Sequence, residues 1–497
     1  MLFTTQVFLF VFFPFSILGY SIIKGVCSID GLRFLFKKLS LDKLFLIGCS
    51  VVFYMWSSFD NVFRLLFYIV VVYVIGLWIA TVRGKGLYLN LYQSPTLQKR
   101  VYLSLFPLGI GILLVTFPLI YFNYSNFLIQ CWNSLFGEQL PSKSLLAPLG
   151  ISFITFSSIS YLTDIYRGQA TAGSFFDCLL YLTFFPKVIS GPIVLWRDFQ
   201  GQIGQSRFSL TRMTEGVNRI MIGFAKKVIL ADTFGACLAQ ISIQSMDQLT
   251  AFGTLILYML QIYYDFAGYS DIAIGLAKLF GFEFKENFNF PYRSVSISEF
   301  WRRWHISLGT WFKEYIYISL GGSRKGQQKT LRNLAIVFAV TGLWHGAGWN
   351  YILWGGIHAF FVVVERLVHH HKYYQNIPVA LKYMATMGII LFSWQLFRFQ
   401  HLADVGTVVG AILGKGTGQP IFYTWQYYYD AKMLFLATVG IIGATLLGSQ
   451  KVKSWYGNVS STAVGYFLQE VILLAIFIVA ILFMVNSTYS PFIYFQY

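Results

Sequence analysis

The amino-acid sequence encodes an all-α polytopic membrane protein, and composition, run length and charge placement each say so. Of its 497 residues, 56% are hydrophobic, 19% aromatic and only 11% charged, and the mean hydropathy is +0.61. A soluble domain carries roughly 25% charged residues. The apolar runs are helix-length rather than the roughly ten-residue alternating segments of an outer-membrane barrel. Counting them gives about eleven transmembrane helices and re-entrant segments, each near 20 residues.

Thirty-seven Lys and Arg against 20 Asp and Glu leave a net charge of +17. In a soluble chain that balance points to nucleic acid. Here the basic residues gather between apolar runs: Arg83/Lys85, Lys99/Arg100, Lys226/Lys227, Arg324/Lys325/Lys329/Arg332 and Lys451/Lys453. That pattern is the positive-inside rule beside anionic lipid, not a nucleic-acid surface. It sets the Arg324 loop on the cytoplasmic side. The five cysteines are scattered with no CxxC, so neither a disulfide framework nor a metal site is indicated.

Taken in order, residues 1–20 read as a first membrane helix, without the basic region and cleavage site of a signal peptide. An amphipathic stretch from Lys24 to Asp42 suits the interface. Apolar runs near 44–58, 62–80 and 101–122 follow. The next span, residues 145–168, carries Ser152, Thr155, Ser157, Ser158 and Ser160; such hydroxyls bond back to their own helix or across to a neighbour. Asp164 and Arg167 are spaced as a helical ion pair. In 175–199, Pro186, Gly191 and Pro192 interrupt a run too short to span twice, which reads as a re-entrant or broken helix with Lys187 near the turn. Runs at 214–230 and 250–280 come next. Asp265 and Asp271, about 240° apart on one helix, do not form an acid–base pair; caps, cross-helix hydrogen bonds or contacts to Arg302 and Arg303 account for them.

The stretch from Phe290 to Ala359 concentrates the chemistry. His305 and His345 lie in apolar, Trp-rich segments, where an ionisable side chain is costly and so points to function. Ser296-Ile297-Ser298-Glu299 fits a capping box and starts a helix on which Trp301, Arg302 and His305 can meet. Gly321-Gly322 ends it, ahead of a basic loop over 323–332. The glycines around His345 allow close helix approach or a local break. His358 lies about 220° from His345 on a continuous helix, so the two share a pocket only if those glycines break it; otherwise His358 is packing. His369-His370-His371 reads as a solvated loop rather than a metal site. Runs at 379–397, 431–449 and 465–487 complete the chain. No Walker motif, GxSxG or HExxH is present.

FWRRWHISLGTWFKEYIYISLGG and GLWHGAGWNYILWGGIHA resemble the membrane-bound O-acyltransferase (MBOAT) family, within it the bacterial branch of alginate O-acetyltransferase membrane subunits. PLGISFITFSSISYLTDIYRG (148–168), FFPKVISGPI (184–193), YYDFAGYSDIAIGLAKLFGF (263–282), NFNFPYRSVSISEFW (287–301) and PFIYFQY (491–497) extend the resemblance in family order. It implies helices around a central funnel, a catalytic core over 121–368, N-terminal transmembrane helices over 1–120 and C-terminal ones over 369–497. It also implies His345 and His305 as the catalytic pair and no metal. Gly309 stands where Ser is common, Lys313-Glu314 where Arg-Asp is common, and Ser319 where Pro is common.

Acyl transfer from a thioester needs a base for the incoming hydroxyl and stabilisation of the oxyanion. On this reading His345 is the base, and His305 orients the acceptor or donates to the oxyanion. Arg302, Arg303, Lys313 and the basic loop receive the phosphates of acetyl-CoA or an acyl-carrier phosphopantetheine; a topogenic cytoplasmic edge is the alternative for the arginines. The branch implies an inner-membrane enzyme that passes acyl, acetyl first, to an extracytoplasmic partner transferase acting on a polysaccharide. D-alanylation, protein or lipid acylation by the same fold, and a proton-relaying transporter or flippase are the other readings.

Overall fold

A computed structural model describes residues 2–26, 40–57, 59–84, 95–145, 147–205, 209–416 and 419–486. Among these every regular element is helical. Seven helices are long and apolar enough to cross a membrane: Phe8–Val26, Phe59–Arg83, Gln98–Phe136, Trp349–Val368, Val379–Arg398, Ala431–Gly448 and Ala463–Asn486. Large apolar side chains cover their outer faces, Phe67 and Leu113 each being 71% exposed. Such surface suits a lipid solvent, so the chain is a multi-pass membrane protein. Most of the Lys24–Asp42 stretch, the loop after Gly84 and the PFIYFQY ending lie outside the described residues. Lys24 and Asp42 themselves pair at 2.5 Å.

The chain divides into two compact units. The first runs to Val217 and includes Ala273–Lys285. Its run near 101–122 extends further than the sequence suggests, as Leu105–Phe136 with Pro118 inside. In Ile151–Arg167 the hydroxyls of Thr155, Ser157, Ser158 and Ser160 are buried and hydrogen-bonded. Ser158 Oγ donates to the Ile154 carbonyl at 2.8 Å, and Ser160 Oγ accepts from the Trp196 N–H at 3.0 Å. Asp164 accepts from the Arg197 N–H at 3.0 Å. The broken segment is present: Phe175–Thr183 is held at its start by a Ser174–Asp177 capping box, stops at Phe184, and gives way to a single turn, Phe185–Val188. A Cβ on Gly191 would lie 2.6 Å from the Pro186 carbonyl oxygen, which is why the tight return needs glycine. Lys187 is buried there, donating to Ser157 Oγ at 3.0 Å and lying 4.1 Å from the Tyr181 ring centroid.

The second unit comprises Asn218–Ile272 and the chain from Glu286. Here one expectation fails and another narrows to one of its alternatives. Lys226 and Lys227 are not loop residues; they sit in a π-helical stretch, Lys226–Ala231. Lys227 is 2% exposed and bridges Asp232 at 2.5 Å and Asp265 at 2.8 Å. Asp271 pairs with Arg219 at 2.7 Å and Lys226 at 2.6 Å. Of the readings open to these two carboxylates, cross-helix pairing is the one found. The π insertion turns the adjacent lysines towards Asp271 and Asp265, six positions apart on Gln248–Leu279, a register that a regular 3.6-residue period hides. Gly223 and Gly268 let the two backbones approach, each within 2.7 Å of where the other's Cβ would stand against a carbonyl.

Candidate active site

The Ser296 hydroxyl accepts from the Glu299 N–H at 3.0 Å and starts Ile297–Arg303. The Glu299 carboxylate reaches back to the N–H of Val295, at 3.0 Å, one residue before the position expected of a capping box. Glu365 supplies what is left, accepting from the N–H groups of Ile297 at 2.6 Å and Ser298 at 2.8 Å.

The helix does not continue to His305. Trp304 is extended and His305 is left-handed, with φ 45° and ψ 54°, a conformation costing a non-glycine residue roughly 1–3 kcal/mol. The cause is tertiary. The neighbouring strand of chain, 287–289, bonds on both sides of the kink: Asn289 N–H donates to the Arg303 carbonyl and Ile306 N–H to the Asn287 carbonyl, each at 2.9 Å. A new helix, Ile306–Phe312, then begins. Trp301 and His305 therefore meet as walls of one cavity and not as a helical i, i+4 pair.

After Gly326 the basic segment is already helical, so Lys329 and Arg332 stand on Gln327–His345 rather than in a loop. That helix ends at His345, the chain turns through Gly346–Gly348, and Trp349–Val368 returns. Gly342 and Gly355 form the contact between the pair: a Cβ on either would meet a backbone oxygen at 2.6–2.7 Å. Close approach and a helix break thus occur together, and the break brings His358 to the His345 side. His345 and His358 stand 5.0 and 4.9 Å from the Trp354 ring.

His345 is enclosed by Trp344 at 4.6 Å, Trp354, and Phe397 at 4.7 Å. The His305 ring packs edge-on against Phe266 at 4.6 Å and lies 6.3 Å from Trp344. Trp344 is in reach of both histidine rings. His305 Nδ1 lies 3.1 Å from Asn287 Oδ1.

Two cavities abut here. The outer one, about 630 Å³, has Ser298, Arg302, Glu365, Arg366, His369 and Tyr374 among its polar lining, the Glu365 carboxylate being taken up by the Ile297 and Ser298 N–H groups. The inner one, about 270 Å³, is lined by His305, Leu308, Phe312, Lys313, Val337 and Thr341. Trp301, Tyr317, Leu334 and Phe338 belong to both walls. Arg303 lines neither; its guanidinium pairs with Glu299 at 2.8 Å and donates to the Asn289 carbonyl at 3.2 Å. His345 is not among the residues lining the inner cavity, whereas His305 is. Asn287, Glu365 and Arg366 escaped the sequence reading. A Glu-Arg pair late in an apolar run was their one signal, since Asn287 looks like any loop asparagine. Among the described residues no group of three or more His, Cys, Asp or Glu is placed to hold a metal.

The family model for membrane-bound O-acyltransferases, MBOAT, matches residues 46–403. A probable alginate O-acetylase of Pseudomonas putida is 34% identical over 100% of both chains. One from Pseudomonas aeruginosa is 37% identical over 84% of this chain and 76% of its own. A peptidoglycan O-acetyltransferase of Helicobacter pylori is 31% identical over 83% of this chain and 80% of its own.

Proposed function

Since the chain belongs to the membrane-bound O-acyltransferase family and is an O-acyltransferase, we propose that it carries an acetyl group from a cytoplasmic thioester to the outer face of the inner membrane, where a partner transferase O-acetylates a polysaccharide. The observation that carries this reading is the pair of abutting cavities. The outer one offers Arg302 and Arg366, whose guanidinium groups suit phosphate oxygens. The inner one is a mainly apolar slot with an imidazole in its wall, as a pantetheine arm carrying a terminal thioester requires. The donor is acetyl-CoA or an acyl-carrier phosphopantetheine. Arg303, held by Glu299 and the Asn289 carbonyl, braces the chain away from the donor, and Lys313 stands beside the arm.

The hydroxyl oxygen of the acceptor attacks the thioester carbon, its proton passes to imidazole, and the C–S bond breaks to leave a thiolate that takes a proton as it departs. His345 is the base in this scheme, and His305 acts at the thioester end of the slot. Trp344, between the rings, keeps water from the carbonyl. The relatives are named for O-acetylation of alginate and of peptidoglycan, which favours acetyl and a glycan acceptor for this chain as well.

The test uses the full-length protein in vesicles or cells with labelled acetyl-CoA. Label should reach surface polymer with the parent protein and fall by about 10²–10⁴-fold in His345→Ala and in His305→Ala. A His345→Ala protein that accumulates normally in membranes and still supports full acetylation sinks the assignment.

A further inference from the structure

We propose, resting on the placement of His305 at the thioester end of the slot, that Asn287 is a positioning residue: it holds His305 as the Nδ1–H tautomer, so that Nε2 presents a lone pair to the reacting hydroxyl. Asn287 is 1% exposed, and its neighbours fix which way its amide points. The backbone N–H of Ser307 lies 3.2 Å from Oδ1 and can only donate. The Ser307 hydroxyl is 2.9 Å from the same oxygen, while Nδ2 donates to Ser270 Oγ at 3.0 Å. Reversing the amide would set NH2 against the Ser307 N–H.

With oxygen at that position, the imidazole nitrogen 3.1 Å away has to bring the hydrogen. A lone pair on Nδ1 would face a second lone pair. In neutral imidazole one nitrogen donates and the other accepts, so Nε2 is the acceptor. Nε2 is buried and has no hydrogen-bond partner among the described residues. A doubly protonated ring would put an N–H there with nothing to receive it. The backbone agrees: the Asn287 carbonyl accepts from Ile306 N–H, and His305 is left-handed, so one residue sets both the direction and the proton of the ring. Of the two jobs open to His305, orienting the acceptor hydroxyl or donating to the oxyanion, the arrangement selects the first: Nε2 accepts a hydrogen bond from the hydroxyl and aims it, while His345 takes the proton. The titratable groups nearby are His345, beyond Trp344, and Lys313 in the same cavity wall; Phe266, Trp344, Asn287 and Ser307 are the uncharged neighbours of the ring.

The experiment is nitrogen NMR of 15N-histidine-labelled protein in bilayers, with the His305 resonances assigned by their loss in His305→Gln. The expected result is hydrogen on Nδ1 and none on Nε2 at neutral pH. Asn287→Leu should mix the tautomers and lower acyl transfer by about 10²-fold, the size expected when a group that aims a reacting hydroxyl is misaligned, with donor KM changed less than about twofold. Asn287→Asp should restore the Nδ1–H form and move the acid limb of the rate profile to higher pH, because a carboxylate beside Nδ1 favours imidazolium. Hydrogen on Nε2 in the parent protein overturns the proposal, as does an Asn287→Leu variant with unchanged tautomer and pH profile. Absence of acyl transfer by the parent protein would instead overturn the acyltransferase scheme, leaving the NMR result to stand on its own.

Discussion

Trp301 donates its indole N–H to His358 Nδ1 at 3.3 Å, the two rings standing perpendicular with centroids 5.1 Å apart. His358 is fully buried, and Trp301 forms a wall of both cavities. The bond therefore pins the partition between polar mouth and apolar slot. His358→Leu leaves a buried indole N–H without its acceptor, at a cost of about 1–3 kcal/mol. Thermal unfolding in detergent should show that loss, while residual acyl transfer persists with a raised donor KM. Complete loss of transfer in a protein of parental stability would make His358 part of the reacting centre instead.

Arg302 and Arg366 make a second prediction. If they receive phosphate, Arg302→Gln and Arg366→Gln should each raise KM for acetyl-CoA by about tenfold, since a hydrogen bond to a charged group contributes about 1.5–3 kcal/mol. KM for acetyl-pantetheine, which lacks the phosphates, should stay unchanged, and added salt should blunt the difference. Equal effects on both donors would return the arginines to a topogenic role. Arg303→Gln should act on stability and not on KM, because its partners are Glu299 and the Asn289 carbonyl.

How much of this was legible beforehand can be judged residue by residue. The helix start at Ser296, the glycine break after His345 and the broken helix around Pro186 follow from local chemistry, so the sequence shows them. The kink at Trp304–His305 does not follow from local chemistry. Hydrogen bonds from residues 287–289 impose it, and no propensity within 297–312 announces them. Lys226 and Lys227 misled for a related reason: adjacent lysines between apolar runs look topogenic until the π insertion carries them to Asp265, Asp232 and Asp271. The histidines were visible because charge-bearing groups are rare in such segments, whereas Asn287 was not, because asparagine is ordinary in loops.

The buried Lys227 gives a third prediction. Lys227→Met leaves Asp232 and Asp265 without their shared cation inside the protein and should destabilise it by about 3–5 kcal/mol. Replacing all three, as Lys227→Met with Asp232→Asn and Asp265→Asn, should recover most of that loss, since removing a whole buried ionic group costs far less than removing one member. Detergent-stability curves for the single and triple variants decide it. A triple variant as unstable as the single one would mean that the ions hold the π-helical register itself.

The contact between Gly342 and Gly355 carries the last prediction. A methyl group at Gly342 would stand 2.6 Å from the Tyr351 carbonyl oxygen and 3.3 Å from Gly355 Cα, and one at Gly355 would stand 2.7 Å from the Phe338 carbonyl oxygen. Backbone cannot yield as a flexible side chain can, so Gly342→Ala must spread the two helices. Overpacking of this kind costs about 1–3 kcal/mol. The separation acts three residues from His345, at the closed end of the hairpin, and so displaces that ring relative to Trp354 and Phe397. Gly342→Ala should then lose acyl transfer by more than its stability loss explains, through kcat and not donor KM, because the donor cavities are walled by Trp301, Leu334 and Phe338 and not by His345. Gly356→Ala, one residue from Gly355 with no atom within 4 Å of its would-be Cβ, is the control and should leave both stability and kcat near the parental values.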